Sequence, residues 1–207
     1  MQADVSPVGF SLGVSGWMEE AALRWLSFIA GYLTPGAQWV ELGTWRGRSW
    51  ACVALSLPAG STIIAVDTFD GGTGTYDAAV EVELEKSGGS TEREFMAVRD
   101  EVMRIRPDLL CPVIHEFTIQ AATLVDGRST DVVFVDAAHH TEGVTGDIKA
   151  WLPNLKPGGL LCGHDYADQR VRAAVHSFAG WHINVVPNTS IWWTRMNSDE
   201  IARTEAC

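Results

Sequence analysis

The chain has 207 residues, 46% of them hydrophobic, and a formal charge of −11 from 15 basic and 26 acidic side chains. That length suits one α/β domain with a small extension, and the apolar share is enough for a sizeable core. So acidic a chain repels phosphate backbones, which argues against a nucleic-acid partner. The only basic cluster, Arg99 to Arg106, is interrupted by Asp100 and Glu101 and reads as a solvated helix face. Cys52, Cys111, Cys162 and Cys207 are far apart and form no C-x-x-C pair. They read as free thiols in a reducing compartment. The N-terminus has no basic stretch followed by an apolar block, and no apolar run reaches the ~18–20 residues of a membrane span. A soluble, cytoplasmic protein with no membrane partner is expected.

In chain order, residues 1–16 are rich in Gly, Ser and Val and have no clear period. They read as a loose arm or part of a substrate cover. Ser15 or Gly16 caps an expected helix from Trp17 to Leu33, because Met18, Ala22, Trp25, Leu26, Ile29 and Leu33 share one face. Thr34-Pro35-Gly36 stops it. Trp39 to Leu42 is a short buried strand, Gly43 a sharp turn, and Arg48 to Leu57 a helix. Ser61 to Val66 is a second strand ending at Asp67. Residues 70–90 are Gly- and Glu-rich, with a helix expected over Asp77 to Lys86, and sit where a substrate lid would lie. Thr91 caps a helix to Arg106, and Glu94 completes a capping box.

Pro112 to Phe117 reads as a third strand, with Gln120 in the loop after it and a short helix over Ala121 to Val125. Asp131 to Val135 is a fourth strand ending at Asp136. A helix over Thr141 to Leu155 is stopped by Lys156-Pro157-Gly158-Gly159. Leu160 to Gly163 is a fifth strand ending at His164-Asp165, and Asp168 caps a helix over 168–179. His182 to Val186 and Ser190 to Met196 are joined by too short a link for a parallel crossover, so they form an antiparallel hairpin. The organisation is thus an N-terminal arm and helix (1–38), a main domain (39–196) and a polar, frayed tail (197–207). Alternating strands and helices make the fold α/β: a Rossmann-like, doubly wound, mostly parallel sheet of seven strands with an antiparallel C-terminal hairpin.

Residues 39–49 make a strand, a glycine turn and a helix start, where loop amides and the helix dipole face a ligand. A dinucleotide fingerprint needs G-x-G-x-x-G, but Trp45 stands at the second glycine position. The turn is badly shaped for a pyrophosphate. Glu41, near the strand tip, could instead meet a cation, which suits a positively charged nucleoside such as S-adenosylmethionine. Asp67 follows Gly43 by 24 residues, near the ~20-residue offset of a ribose-binding carboxylate. Gly43, Asp67, Asp136 and His164-Asp165 all end predicted strands, so they line one edge of the sheet, where such folds bind ligands.

These motifs resemble those of class I S-adenosylmethionine-dependent methyltransferases, in the branch of small-molecule O-methyltransferases that includes macrolide-sugar and catechol-type enzymes. Val40 to Ser49 is similar to that family's first cofactor motif, and Val66-Asp67-Thr68-Phe69 to its ribose-binding segment. Val132 to His140 and Leu152 to Tyr166 resemble its fourth and fifth strand motifs. The resemblance implies that Glu41 and the turn with Gly43, Thr44, Gly47 and Ser49 hold the methionine portion. Asp67, with Thr68, takes the ribose, Gln120 edges the adenine, and Asp136 also borders the cofactor. It further implies a divalent cation, Mg²⁺ or similar, on Asp136, His164 and Asp165. The familiar pattern has Asp, Glu or Asn where this chain has His164, and a hard cation prefers oxygen. A softer metal, binding by Asp136 and Asp165 alone, and no metal all stay open. His139 is the implied catalytic base beside Asp136, with His140 its rival. The implied reaction is O-methylation of a small-molecule acceptor. Whether a second copy of the chain is a partner stays open. A nucleotide-dependent oxidoreductase and a non-catalytic cofactor-binding module are the other readings; Trp45 and the closing hairpin weigh against the first.

Overall fold

The structure, a computed structural model, describes residues 5–70, 91–198 and 201. The lid and helix expected within 70–90 therefore lie almost wholly outside the described residues. Helices α1 (Pro7–Leu12) and α2 (Glu20–Gly31) precede β1 (Gln38–Leu42) and α3 (Arg48–Ser56). Then come β2 (Thr62–Asp67), α4 (Thr91–Ile105), β3 (Val113–His115), the single turn α5 (Thr118–Ala121) and β4 (Thr130–Val135). The chain continues through α6 (Thr141–Trp151), β5 (Leu155–Gly163), α7 (Gln169–His176), β6 (Asn184–Val185) and β7 (Trp192–Arg195). The seven strands form one sheet in the order β3-β2-β1-β4-β5-β7-β6. The first five are parallel, while β7 runs antiparallel to both β5 and β6.

The central strands are buried on both faces, which is why their sequences are continuously apolar rather than alternating. Alternate residues still go to opposite sides. Trp39, Ile63, Ala65, Val132, Phe134 and Leu160 pack with α2, α3 and α4. Val40, Leu42, Ile64, Val66, Val133, Val135 and Leu161 pack with α6 and α7. No helix among the described residues is long and apolar enough to cross a membrane. Cys52, Cys111 and Cys162 are buried free thiols.

Several boundaries differ from expectation. The arm is partly helical: Ser6 accepts from the Gly9 amide at 3.2 Å and Pro7 opens α1. A hydroxyl before a proline is a helix-start signal that outweighs the missing apolar period over so short a stretch. The next helix starts at Glu20, not Trp17, because Val14 to Met18 are drawn off by contacts with α3. Thr91 is itself the first residue of α4, and its buried hydroxyl donates to Phe69 O at 2.9 Å. Glu94 pairs with Arg46 at 2.9 Å. Lys156 to Gly159 belongs to β5, where the register with β4 shifts between Thr130 and Val132. The stretch bulges and stays in the sheet. The tail is not wholly frayed: Ile201 is fully buried in the second core cluster.

One polar group in this frame carries a stability consequence. Asp147 of α6 is 2% exposed; its Oδ1 accepts from the Thr118 hydroxyl, and its Oδ2 has no partner among the described residues. Burial pushes its carboxyl up to about 6, against the opposing pull of Thr118 and His140. The folded state therefore holds a proton that the unfolded chain has lost between about pH 4 and 6. Stability falls as pH rises through that window, and above it the folded chain carries the cost of a buried charge. Asp147→Asn keeps an acceptor for Thr118 and is expected to gain about 1–3 kcal/mol at pH 8 and almost nothing at pH 4. Thermal melts of both chains across that range would reveal it; a gap that does not widen with pH contradicts it.

Candidate active site at the strand tips

Parallel strands bring the ends of β1, β2, β4 and β5 to one edge, and the ladder continues just past them. The Gly43 amide donates to Val66 O at 2.8 Å, the Asp136 amide to Leu42 O at 2.9 Å, and the His164 amide to Val135 O at 3.2 Å. Gly43 has φ 81°, and a Cβ there would lie 2.4 Å from Asp136 O. Only glycine lets the turn after β1 pass so close to the end of β4. Gly47, at φ 89°, ends the turn and caps α3 with the Phe95 ring against it.

The acid of β1, Glu41, is fully buried. Its Oε1 accepts from the Ser49 hydroxyl at 2.7 Å, while Oε2 has no partner among the described residues. Burial drives its carboxyl far above the usual range; Ser49 opposes this, and the nearby Asp136 and Asp67 reinforce it. Thr44, beside it in the turn, is 2% exposed and its hydroxyl also lacks a partner among the described residues. Asp67 braces the same turn. Its Oδ2 accepts from the Trp45 amide at 2.7 Å and its Oδ1 from the Phe69 amide at 2.8 Å. Each oxygen keeps a second lone pair for a ligand hydroxyl. Burial raises the Asp67 carboxyl, and those backbone bonds partly offset it. Trp45 and Phe69 both have left-handed φ values, 49° and 54°, as does Asp165 at 56°. Strained non-glycine backbone gathered at one sheet edge is characteristic of ligand sites. Thr68 is half-buried, its hydroxyl turned to Asp70. Gln120 lies on α5, exposed, beyond β3.

On the other side of Gly43 lie the tips of β4 and β5. Asp136, His139 and Asp165 each offer a ligand atom, all within 4.8 Å of one another. His139 Nε2 is 3.1 Å from Asp165 Oδ2. His164 stands differently: its Nε2 is 3.3 Å from Glu19 Oε2, and its Nδ1 is 3.4 Å from Asp165 Oδ1 and 3.9 Å from Asp136 Oδ1. The geometry therefore groups His139 with the two aspartates and gives both nitrogens of His164 acidic neighbours. His140 spends its Nδ1 accepting the Gly143 amide at 3.0 Å, which caps α6.

Electrostatics couple these groups. Burial pushes the Asp136 carboxyl up to about 7, with His164 opposing and Asp165 adding to the rise. The bond to Asp165 raises His139 above its ordinary value. Burial alone would lower His164, but the bond to Asp165 and the charges of Asp136, Asp165 and Glu19 carry it to about 9. Burial works against the Asp165 carboxylate too, yet bonds from His139 and His164 hold it well below the usual range. The two carboxylates can hold a divalent cation, and the imidazole beside them can serve either as a third ligand or as a base. A metal there must displace the proton that Asp136 retains near neutrality.

Sequence reasoning missed Glu19 and the Arg46–Glu94 pair. Neither sits in a motif; both depend on chain crossing the sheet edge from elsewhere. Arg46 is 5% exposed, between Glu94 and the Ser15 hydroxyl, to which it donates at 2.8 Å.

Comparison with known proteins gives the fold and the family. A protein of Sinorhizobium fredii, y4gI, which has no assigned function, is 26% identical over 147 residues, 69% of this chain. The chain spans only 14% of that relative's length. Among solved structures, the O-methyltransferase NovP superposes with a TM-score of 0.63 at 16% identity, over 86% of this chain and 80% of its own. The O-methyltransferase TomG of Streptomyces achromogenes, solved with S-adenosylmethionine, gives 0.59 at 13% identity, over 95% and 91%. At such identities the likeness is one of fold. The family itself is given by a sequence model of the methyltransferase domain, which matches residues 40–166. With that match running from Val40 within β1 to Tyr166 just past β5, the chain belongs to the methyltransferase family and has the fold of the class I O-methyltransferases.

Proposed function

We propose that this chain transfers the methyl group of S-adenosylmethionine to a hydroxyl of a small molecule. One observation supports the choice of cofactor: the buried Glu41 Oε2, unpartnered among the described residues, beside a turn that lacks the pyrophosphate glycine. A buried acceptor without a donor is costly, and a cationic ligand group relieves it. Glu41, Thr44 and the Gly43–Ser49 turn would hold the methionine portion, Asp67 the ribose hydroxyls, and Gln120 the adenine edge. Bound there, the cofactor supplies an electrophilic sulfonium methyl.

The chain's own work is on the acceptor. Its hydroxyl is a weak nucleophile until the proton leaves. His139 takes that proton, with Asp165 orienting the ring at 3.1 Å and stabilising the imidazolium that forms. Asp136 and Asp165 are the residues that would hold a divalent cation, which would lower the hydroxyl pKa and neutralise the charges that keep His139 protonated. The remaining rate gain comes from alignment of the acceptor oxygen with the methyl group.

Calorimetry with S-adenosylmethionine against NAD, with and without Mg²⁺ and Mn²⁺, tests the reading. Micromolar binding of the first and none of the second is expected. Glu41→Gln, nearly isosteric, should weaken S-adenosylmethionine by about tenfold or more, the scale of a charge-assisted bond. Binding of NAD instead would make the chain a nucleotide-dependent oxidoreductase and overturn the proposal.

A further inference from the structure

The segment between α1 and α2 should be ordinary solvated connection. It is instead pinned across the strand-tip edge. Arg48 of α3 donates to Val14 O at 2.7 Å and to Met18 O at 3.1 Å. Arg46 donates to Ser15 Oγ at 2.8 Å. Gly16 lies so close that a Cβ there would be 3.1 Å from Arg48 Cβ. Glu19, at the far end, meets His164 Nε2 at 3.3 Å. Residues 13–19 are thus a strap, tied at one side to the glycine turn and α3, and at the other to the tip of β5.

Trp17 sits in the middle of this strap and is 58% exposed. Its ring stacks on Trp45 with centroids 5.6 Å apart and planes 25° from parallel. Trp45 belongs to the glycine turn, and its amide is held by Asp67. A single exposed tryptophan needs no explanation. This one is fixed from below by a second indole and from both ends by the strap. Two residues further on, within about 7 Å of chain, Glu19 touches the group that contacts Asp136 and Asp165.

We infer that Trp17, backed by Trp45, is the platform on which the methyl acceptor lies, and that the acceptor hydroxyl is carried on a flat aromatic ring. The inference rests on the methyl-transfer reading above and names its substrate class. A pair of stacked indoles extends naturally to a third ring at the same spacing. A sugar, by contrast, needs a partner for each hydroxyl it takes out of water. The strap offers little to one. Gly13 and Gly16 have no side chain, Val14 and Met18 are buried, the Ser15 hydroxyl is bonded to Arg46, and Glu19, the one acidic side chain of the strap, is engaged with His164. Trp17 is accordingly a specificity residue, and the strap sets how far from Asp136 and Asp165 the ring lies.

The test is calorimetry on the full chain loaded with S-adenosylhomocysteine, titrated with catechol, 2,3-dihydroxynaphthalene and methyl glucoside. Both aromatic probes are expected to bind saturably, the larger ring more tightly, and methyl glucoside not at all. Trp17→Ala should weaken both by about tenfold, while Trp17→Phe keeps most of the affinity. Affinity for S-adenosylhomocysteine should change by less than about twofold in either variant. Failure of both aromatic probes on the loaded wild-type chain, undiminished binding in Trp17→Ala, or binding of methyl glucoside instead overturns the inference and leaves methyl transfer standing. A parallel loss of S-adenosylhomocysteine affinity in Trp17→Ala would show a merely structural tryptophan and also overturn it. If S-adenosylhomocysteine and S-adenosylmethionine both fail to bind the wild-type chain, the underlying reading falls first.

Discussion

Gly43→Ala is expected to cost about 3–5 kcal/mol of stability, a large share of the ~5–15 kcal/mol that holds a domain of this size together. Two penalties add. The residue has φ 81°, which an alanine adopts only with strain, and its Cβ would lie 2.4 Å from Asp136 O and 2.6 Å from Ala137 Cα. Those neighbours are backbone at the end of β4, so relief requires the tips of β1 and β4 to part. Gly60 separates the two terms, because it has φ 71° with nothing within 4 Å of a Cβ. Gly60→Ala should therefore cost only about 1 kcal/mol. Denaturant titrations of the two variants make the comparison. Equal losses would mean that β1 and β4 do not converge as described.

The second large effect is on turnover. Asp165→Ala is expected to lower kcat/KM by about 10²–10⁴-fold while leaving S-adenosylmethionine affinity nearly unchanged. Asp165 is the shared partner of His139 and His164, and one of the two carboxylates that would hold a cation. Without it, His139 loses its orienting bond, and both imidazoles lose a group that raises their proton affinity. The pH profile of the residual activity should therefore shift its lower limb to more acid pH, since His139 sheds its proton sooner. Asp168, three residues on, caps α7 by accepting the Arg170 amide at 2.7 Å and is the natural control. Asp168→Ala should cost about 1 kcal/mol of stability and little turnover. Turnover of Asp165→Ala equal to that of Asp168→Ala would remove Asp165 from the chemistry.

What the sequence disclosed was whatever depends on near neighbours in the chain. The β-branched run before Asp67 and the apolar run before Asp136 mark strands by composition alone, and parallel connection then forces their ends to one edge. The closing hairpin follows from the shortness of Pro187-Asn188-Thr189. What stayed hidden depends on partners far away in sequence. Glu94 has the spacing of a capping box, but nothing near it in the chain announces its pairing with Arg46, 48 residues earlier. Lys156-Pro157-Gly158-Gly159 reads as a stop, but Gly158 donates to Met196 O at 2.7 Å from across the sheet and keeps the stretch in β5. By position His164 reads as a metal ligand and His139 as a base. Glu19, 145 residues from His164 along the chain, separates their surroundings, and no local pattern announces it.

Strand β7 lies between β5 and β6, not at the rim. A nascent chain emerging from the ribosome can therefore pair its first five strands while the open side of β5, with Leu160, Leu161 and Cys162, still faces solvent. That side is closed only after Trp192 to Arg195 have been made and have slotted in antiparallel. During synthesis this protein thus passes through a stage with a sticky, half-built sheet, and chaperone demand should stay high until β7 has left the ribosome.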